Sequence, residues 1–257
     1  MKKLLSLLVF ASSLLAHDLH YHVITGSSKC TLICLHGYGD NYTLGIRLKE
    51  KASLSDTVIS FNLPDHDIKE NDDHINSVFG TPDEILPALD ILKKCIIEEG
   101  RSPITLYGMS AGGGVLINIL SLVYGNQPIP FSLEDRQKIR KELENGVIIL
   151  DVPFRSLDEI IAHRGASTPE LTLVSKRYHK NNMCPIEVLQ TLHDLRLNII
   201  VYIAKPDDVI SNRDDELFIK RLKEANSLGT TTVIYGENGG HGGCHLQLWN
   251  YYKTRLS

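Results

Sequence analysis

Several short segments of the chain are apolar along their whole length. Such segments are typical of β-strands that are buried on both faces of a parallel sheet. One other segment alternates between apolar and polar residues and predicts an additional strand near the start of the chain. The predicted strands are 17–24, 29–37, 56–64, 104–107, 146–153, 197–205 and 230–236.

Predicted helices lie between most of these strands. The segment 81–100 has signals at both ends, because Thr81 can cap it, Glu84 completes a capping box and Gly100 can end it. The other predicted helices are 42–53, 112–124, 132–146, 212–229 and 244–256. This alternation predicts one α/β domain over residues 17–257, with a mostly parallel central sheet and helices on both faces.

The stretch ITLYGMSAGGG (104–114) places Ser110 at a predicted strand-to-helix turn. Its G-x-S-x-G pattern is only a hypothesis until the flanking strand and helix support it. A sharp turn there would bring strand and helix so close that only glycine fits at Gly108 and Gly112. The backbone N–H of Ala111 would begin the helix and point toward a developing oxyanion. Ser110 is therefore the candidate nucleophile.

A serine nucleophile needs a base, an acid that orients the base, and a second oxyanion donor. The pair His36-Gly37 follows a predicted strand, so the N–H of Tyr38 is the candidate donor; a simple glycine turn with a buried histidine is the alternative. The candidate base is His241, in a glycine-rich loop after the last strand, with His245 as the alternative.

The acid is expected after strand 197–205, where Asp207 and Asp208 lie. With these residues in place, the chain from 29 to 257 resembles the α/β-hydrolase superfamily. In that family the acid often lies in a pattern similar to G-x-x-D-x-x-V-P. The corresponding stretch here is 204–211, with Ala204 for the glycine and Ser211 for the proline, which implies Asp207. Some members use an acid at the end of the preceding strand, here Asp151.

The resemblance also implies an activity. The chain order Ser110, Asp207, His241 is the order of this fold, and LHGYGD (35–40) is similar to the first-strand motif of small carboxylesterases and thioesterases. A serine hydrolase acting on ester or thioester bonds of a small molecule, through an acyl-enzyme and without a cofactor or metal, is expected. A peptidase or amidase is the alternative. A non-catalytic binding protein is a second alternative, against which the complete triad argues.

Composition limits the partners. The chain has 257 residues, 42% hydrophobic and 23% charged, with a net charge of −4 and no dense basic patch, so nucleic acid is not an expected partner. Its five cysteines are an odd number without paired spacing, which predicts neither a disulfide framework nor a zinc site. His20 and His22 would share one face of a strand, but no third ligand lies nearby to favour a metal site.

Two segments carry further expectations. Residues 1–16 have a basic start and an apolar run shorter than the roughly 20 residues of a membrane-spanning helix, as in a secretory signal peptide. A secreted or periplasmic location is thus predicted, and a cytoplasmic protein with an N-terminal helix is the alternative. Residues 154–195 exceed one crossover helix and predict a cap-like insert. Its basic residues, including Lys176 and Arg177, either favour an anionic substrate or solvate the surface.

Overall fold

The computed structural model describes residues 21–63, 82–126, 129–164, 184–237, 240–242 and 245–256. Its centre is a seven-stranded sheet in the order β1-β3-β2-β4-β5-β6-β7. Strand β1 is antiparallel to β3, and all the other neighbouring pairs are parallel. The strands are β1 (Tyr21–Ile24), β2 (Thr31–Leu35), β3 (Thr57–Phe61), β4 (Ile104–Met109), β5 (Val147–Asp151), β6 (Asn198–Ala204) and β7 (Thr230–Gly236). The predicted mostly parallel sheet is confirmed.

In the described part of the chain, α-helices lie between these strands and after the last of them. They are α1 (Thr43–Lys51), α2 (Pro82–Lys93), α3 (Ala111–Tyr124), α4 (Leu133–Asn145), α5 (Leu157–Arg164), α6 (Pro185–Val188), α7 (Asp215–Ala225) and α8 (Leu246–Leu256). Helix α2 continues into a π-helical turn, Lys94–Glu98, and a 3-10 turn, Asn212–Asp214, precedes α7. The single predicted helix 81–100 is therefore two kinds of helix in succession.

The helices cover both faces of the sheet, as predicted. On β2, Ile33 and Leu35 belong to the core cluster that also contains residues of α2, α3, α4 and α7. Leu32 and Cys34, which point the opposite way, belong to a second cluster with residues of α1 and α8. Because the central strands bury both sets of side chains, their sequences are largely apolar rather than alternating, whereas the edge strands β1 and β7 are only partly buried.

The predicted insert 154–195 lies between β5 and β6. Its described parts contain α5 and α6, and its residues 165–183, with Lys176 and Arg177, lie outside the described residues. The predicted signal peptide 1–16 and His20 also lie outside them. Within the described ranges, no helix has the length and apolar character that crossing a bilayer requires. The cap, the leader and its cleavage remain predictions.

Candidate active site

The turn at Ser110 joins β4 to α3 in an unusual backbone conformation. Ser110 has φ 49° and ψ −114°, a region that L-residues rarely adopt and that persists only where the surroundings impose it. Neighbouring segments hold the turn from two sides: the Ser110 N–H donates to the Asp151 carbonyl at 2.9 Å, and the Phe154 N–H donates to the Ser110 carbonyl at 2.8 Å. These contacts fix the serine at the carboxyl end of β4.

The flanking glycines are required because backbones approach closely here. A Cβ on Gly108 would lie 2.5 Å from the carbonyl oxygen of Gly112, and a Cβ on Gly112 would lie 2.3 Å from that of Leu35. Real Cβ atoms essentially never come this near to a backbone atom. The predicted reason for these glycines therefore agrees with the packing of α3 against β4 and the end of β2.

The structure brings three predicted side chains into one hydrogen-bonded chain. The Ser110 Oγ lies 2.8 Å from His241 Nε2. On the other side of the ring, His241 Nδ1 lies 2.9 Å from Asp207 Oδ2 and 3.1 Å from Asp207 Oδ1. The His241 side chain is 15% exposed and that of Asp207 is 4% exposed, so the acid is covered while the base reaches the surface.

The surroundings of Asp207 favour its ionised form. Its Oδ1 accepts hydrogen bonds from the backbone N–H groups of Val209 and Ile210, both at 2.8 Å. Burial alone would raise the pKa of Asp207, but the hydrogen bond to His241 and these backbone donors outweigh it and lower that pKa. An ionised Asp207 accepts a hydrogen bond from the N–H at His241 Nδ1, which leaves the Nε2 lone pair facing the serine hydroxyl.

The alternative acid Asp208 has a different contact. Its Oδ1 accepts the backbone N–H of His241 at 3.1 Å. It therefore holds the main chain of the base, while Asp207 contacts the imidazole ring.

The other two alternatives, Asp151 and His245, are paired with each other. His245 Nδ1 lies 2.7 Å from Asp151 Oδ1, and the Tyr107 hydroxyl donates to Asp151 Oδ2 at 2.7 Å. Asp151 is fully buried and His245 is 7% exposed. Two Asp–His pairs thus lie at neighbouring strand ends, and the first of them contacts Ser110.

The candidate oxyanion donors lie on either side of Ser110. Ala111 is the first residue of α3, so its N–H has no acceptor within the helix. The loop that carries Tyr38 also packs against the serine, because a Cβ on Gly37 would lie 3.3 Å from Ser110 Cβ.

Buried His36 fixes this loop. Its Nε2 accepts the Leu63 N–H at 2.9 Å, so the ring proton is on Nδ1, which donates to the Gly37 carbonyl at 2.8 Å. His36 thereby joins the segments that follow β2 and β3.

A buried ionic cluster beneath the site was not anticipated from the sequence. Arg155 contacts Glu159 of α5, Asp215 of α7 and the Ser211 carbonyl, and its side chain is 2% exposed. These contacts tie the chain after β5 to the segment between Asp207 and α7. The available sequence signal was an arginine two residues after the predicted apolar strand 146–153, which is too common to single out.

The described residues show no metal centre. Within the described ranges, no group of three or more His, Cys, Asp and Glu side chains is placed to hold a metal ion. The ring of His22 stacks on Tyr42, with centroids 3.8 Å apart.

Comparison with solved structures identifies the fold. The Bacillus cereus carboxylesterase superposes with a TM-score of 0.53 at 15% identity, over 93% of this chain and 95% of that chain. The carboxylesterase from Mesorhizobium loti gives 0.56 at 14% identity, over 93% and 94%. Mouse alpha/beta hydrolase domain-containing protein 10 gives 0.54 at 14% identity, over 93% and 92%. The chain has the α/β-hydrolase fold, as the sequence resemblance implied.

Comparisons that use the sequence alone give no match. No family model and no curated protein sequence matches it.

Proposed function

We propose that this protein is a serine hydrolase that cleaves carboxylic ester or thioester bonds of a small molecule. The observation that carries the proposal is the continuous hydrogen-bonded chain from the Ser110 hydroxyl through His241 to Asp207. It lies at a strand-to-helix turn, at the carboxyl edge of a parallel sheet, where this fold class positions its reacting groups. The likeness to solved carboxylesterases supports the ester as the bond attacked.

The geometry supports a two-stage reaction. As Ser110 Oγ attacks the carbonyl carbon, His241 Nε2 takes the hydroxyl proton, and Asp207 stabilises the resulting imidazolium. The N–H groups of Ala111 and Tyr38 stabilise the charge that develops on the carbonyl oxygen. The tetrahedral intermediate then breaks its bond to the leaving alkoxide or thiolate, which takes the proton from His241.

The resulting acyl-serine is hydrolysed by the same groups. His241 removes a proton from water, the hydroxide adds to the acyl carbon, and the carboxylic acid leaves as Ser110 regains its proton. Every proton transfer uses the Nε2 atom that faces Ser110, so no cofactor is needed in this scheme.

The test is activity-based labelling combined with a substrate panel. We expect the pure protein to react with a fluorophosphonate probe and to hydrolyse short p-nitrophenyl esters or thioesters faster than aminoacyl amides. Ser110→Ala should lose labelling and reduce turnover by about 10⁶-fold, since the triad acts as one unit, while the free energy of unfolding changes little.

Two outcomes would overturn the proposal in different ways. Preference for amides would indicate the peptidase or amidase alternative. Wild-type protein that neither labels nor turns over any of these substrates would indicate a binding protein with a hydrolase fold.

A further inference from the structure

The second Asp–His pair is enclosed by aromatic side chains. The ring of His245 stacks on the ring of Tyr202 in β6, with centroids 4.0 Å apart and planes inclined by 21°. Its Nδ1 contacts Asp151, whose other oxygen accepts the Tyr107 hydroxyl. The position of the His245 ring is therefore set by β4, β5 and β6 together.

The Nε2 edge of this ring points to the loop that carries the candidate base. His245 Nε2 lies 3.3 Å from the carbonyl oxygen of Gly240, the residue directly before His241. Gly240 has φ +56°, and the next N–H, that of His241, donates to Asp208. The main chain at the base is thus held at two consecutive positions, by His245 and by Asp208.

The contact with Gly240 requires a proton on His245 Nε2. A backbone carbonyl only accepts hydrogen bonds, so Nε2 must be the donor. At the other nitrogen, Nδ1 and Asp151 Oδ1 share one proton in their 2.7 Å contact. The ring is therefore held by the fully buried Asp151 at one edge and donates to the base loop at the other.

We propose that His245 is a positioning residue for His241: anchored on Asp151, it donates from Nε2 to the Gly240 carbonyl and so keeps the base aligned between Ser110 and Asp207. The inference rests on the proposed function, in which His241 is the base. Without this donor, the main chain beside His241 loses one of its two hydrogen bonds, and the imidazole is no longer held in line with the serine hydroxyl.

A matched pair of variants separates the two contacts. The amide nitrogen of Gln is placed near the position of Nε2, whereas that of Asn is placed near Nδ1. His245→Gln can therefore still donate to Gly240. His245→Asn can donate to Asp151 but does not reach Gly240. Urea unfolding of both variants measures their stability separately from their activity.

We expect a loss of turnover that follows the Gly240 contact. With p-nitrophenyl acetate, His245→Asn should lower kcat by about 10²-fold, the scale of a misplacement near 1 Å, with little change in KM. His245→Gln should recover most of this loss, because it keeps the donor to Gly240. Equal effects of the two variants on kcat would overturn the proposal and leave His245 with a role in stability alone.

A measurement on the wild type is independent of activity and of variant folding. Imidazole ¹⁵N chemical shifts should show Nε2 of His245 protonated, and an unprotonated Nε2 would overturn the proposal. The same spectra of His245→Asn should show a displaced His241 ring. If the wild type fails to hydrolyse any ester, the proposed function fails, and these spectra still decide whether His245 positions His241.

Discussion

Two residues at neighbouring strand ends have backbone conformations that their side chains disfavour. Ser110 has φ 49° and Val152, which follows β5, has φ 42°. Each such residue costs on the order of 1–3 kcal/mol and is retained only where the surroundings impose it. Here the N–H of Ser110 bonds to β5 and the N–H of Val152 bonds to the Tyr202 carbonyl in β6. The sheet therefore imposes the conformation that presents the serine hydroxyl to His241.

Single substitutions also distinguish Asp207 from the alternative acid Asp208. Asp207→Asn should lower kcat by about 10⁴-fold, because an amide holds the wrong tautomer of His241 and does not stabilise its imidazolium. Asp208→Asn should have a smaller effect, since an amide oxygen can still accept the His241 N–H. Steady-state kinetics of the two variants on one ester measures the difference. A mild Asp207→Asn with a severe Asp208→Asn would reassign the acid.

At the scale of elements, the glycines of helix α3 allow its first turn to pack closely against β4 and the end of β2. Three glycines, 112–114, form its first turns, and the helix lies against β4, the end of β2 and the chain after β5. The rest of α3 is buried through Val123 and is mostly apolar, with Asn118 and Ser121 as its buried polar residues. Burial on all sides explains how a helix that starts with glycines is still well ordered, because tertiary packing outweighs its weak intrinsic propensity.

Two substitutions in the same helix test this packing. Gly112→Ala places a Cβ against the Leu35 carbonyl, and the resulting overpacking should cost about 1–3 kcal/mol of the free energy of unfolding, or more. Gly114→Ala is the matched control, because its Cβ would meet the Phe154 and Pro185 side chains at 3.1 Å, and side chains can adjust. Urea midpoints measure both, and equal stability of the two variants would contradict the close approach.

At the scale of the whole molecule, the parallel sheet collects residues that are far apart in the sequence. Ser110 and His241 are separated by 131 positions yet are in hydrogen-bond contact. The carboxyl ends of β2, β4, β5, β6 and β7 lie side by side, and each is followed by a part of the candidate site. The buried Arg155 cluster links the chain after β5 to the segment after β6.

The pKa of Asp207 links this site to the stability of the molecule. Because that pKa is lowered on folding, the ionised carboxylate contributes stability above the ordinary Asp pKa of about 3.9, and the contribution is lost as the pH falls through the folded-state value. The destabilisation caused by Asp207→Asn should therefore be larger at pH 7 than at pH 3. Urea unfolding at both values, with the exposed Glu50→Gln as control, measures it. A difference that is independent of pH would contradict this linkage.

The sequence alone was sufficient to predict the α/β architecture and to name the candidate residues that the structure brings together at the site. Continuous apolar strands specify a sheet buried on both faces, since no other strand arrangement needs apolar side chains at every position. The turn at Ser110 could be predicted because the close approach of strand and helix there leaves room only for glycine. His241 could be predicted because it follows the last strand. These signals are local, so one sequence contains them.

Which acid and which histidine contact each other was decided by the tertiary structure. Three candidate acids lie at or just after the ends of sheet strands: Asp151, Asp207 and Asp208. The two candidate histidines, His241 and His245, lie four positions apart. The sequence therefore left the pairing of acid and histidine open. The pairing depends on side-chain direction at adjacent strand ends: Asp207 turns toward His241, while Asp151 is held by Tyr107 from β4 and contacts His245. These contacts join residues from separate strands and loops, and only the packed sheet brings them within hydrogen-bond distance.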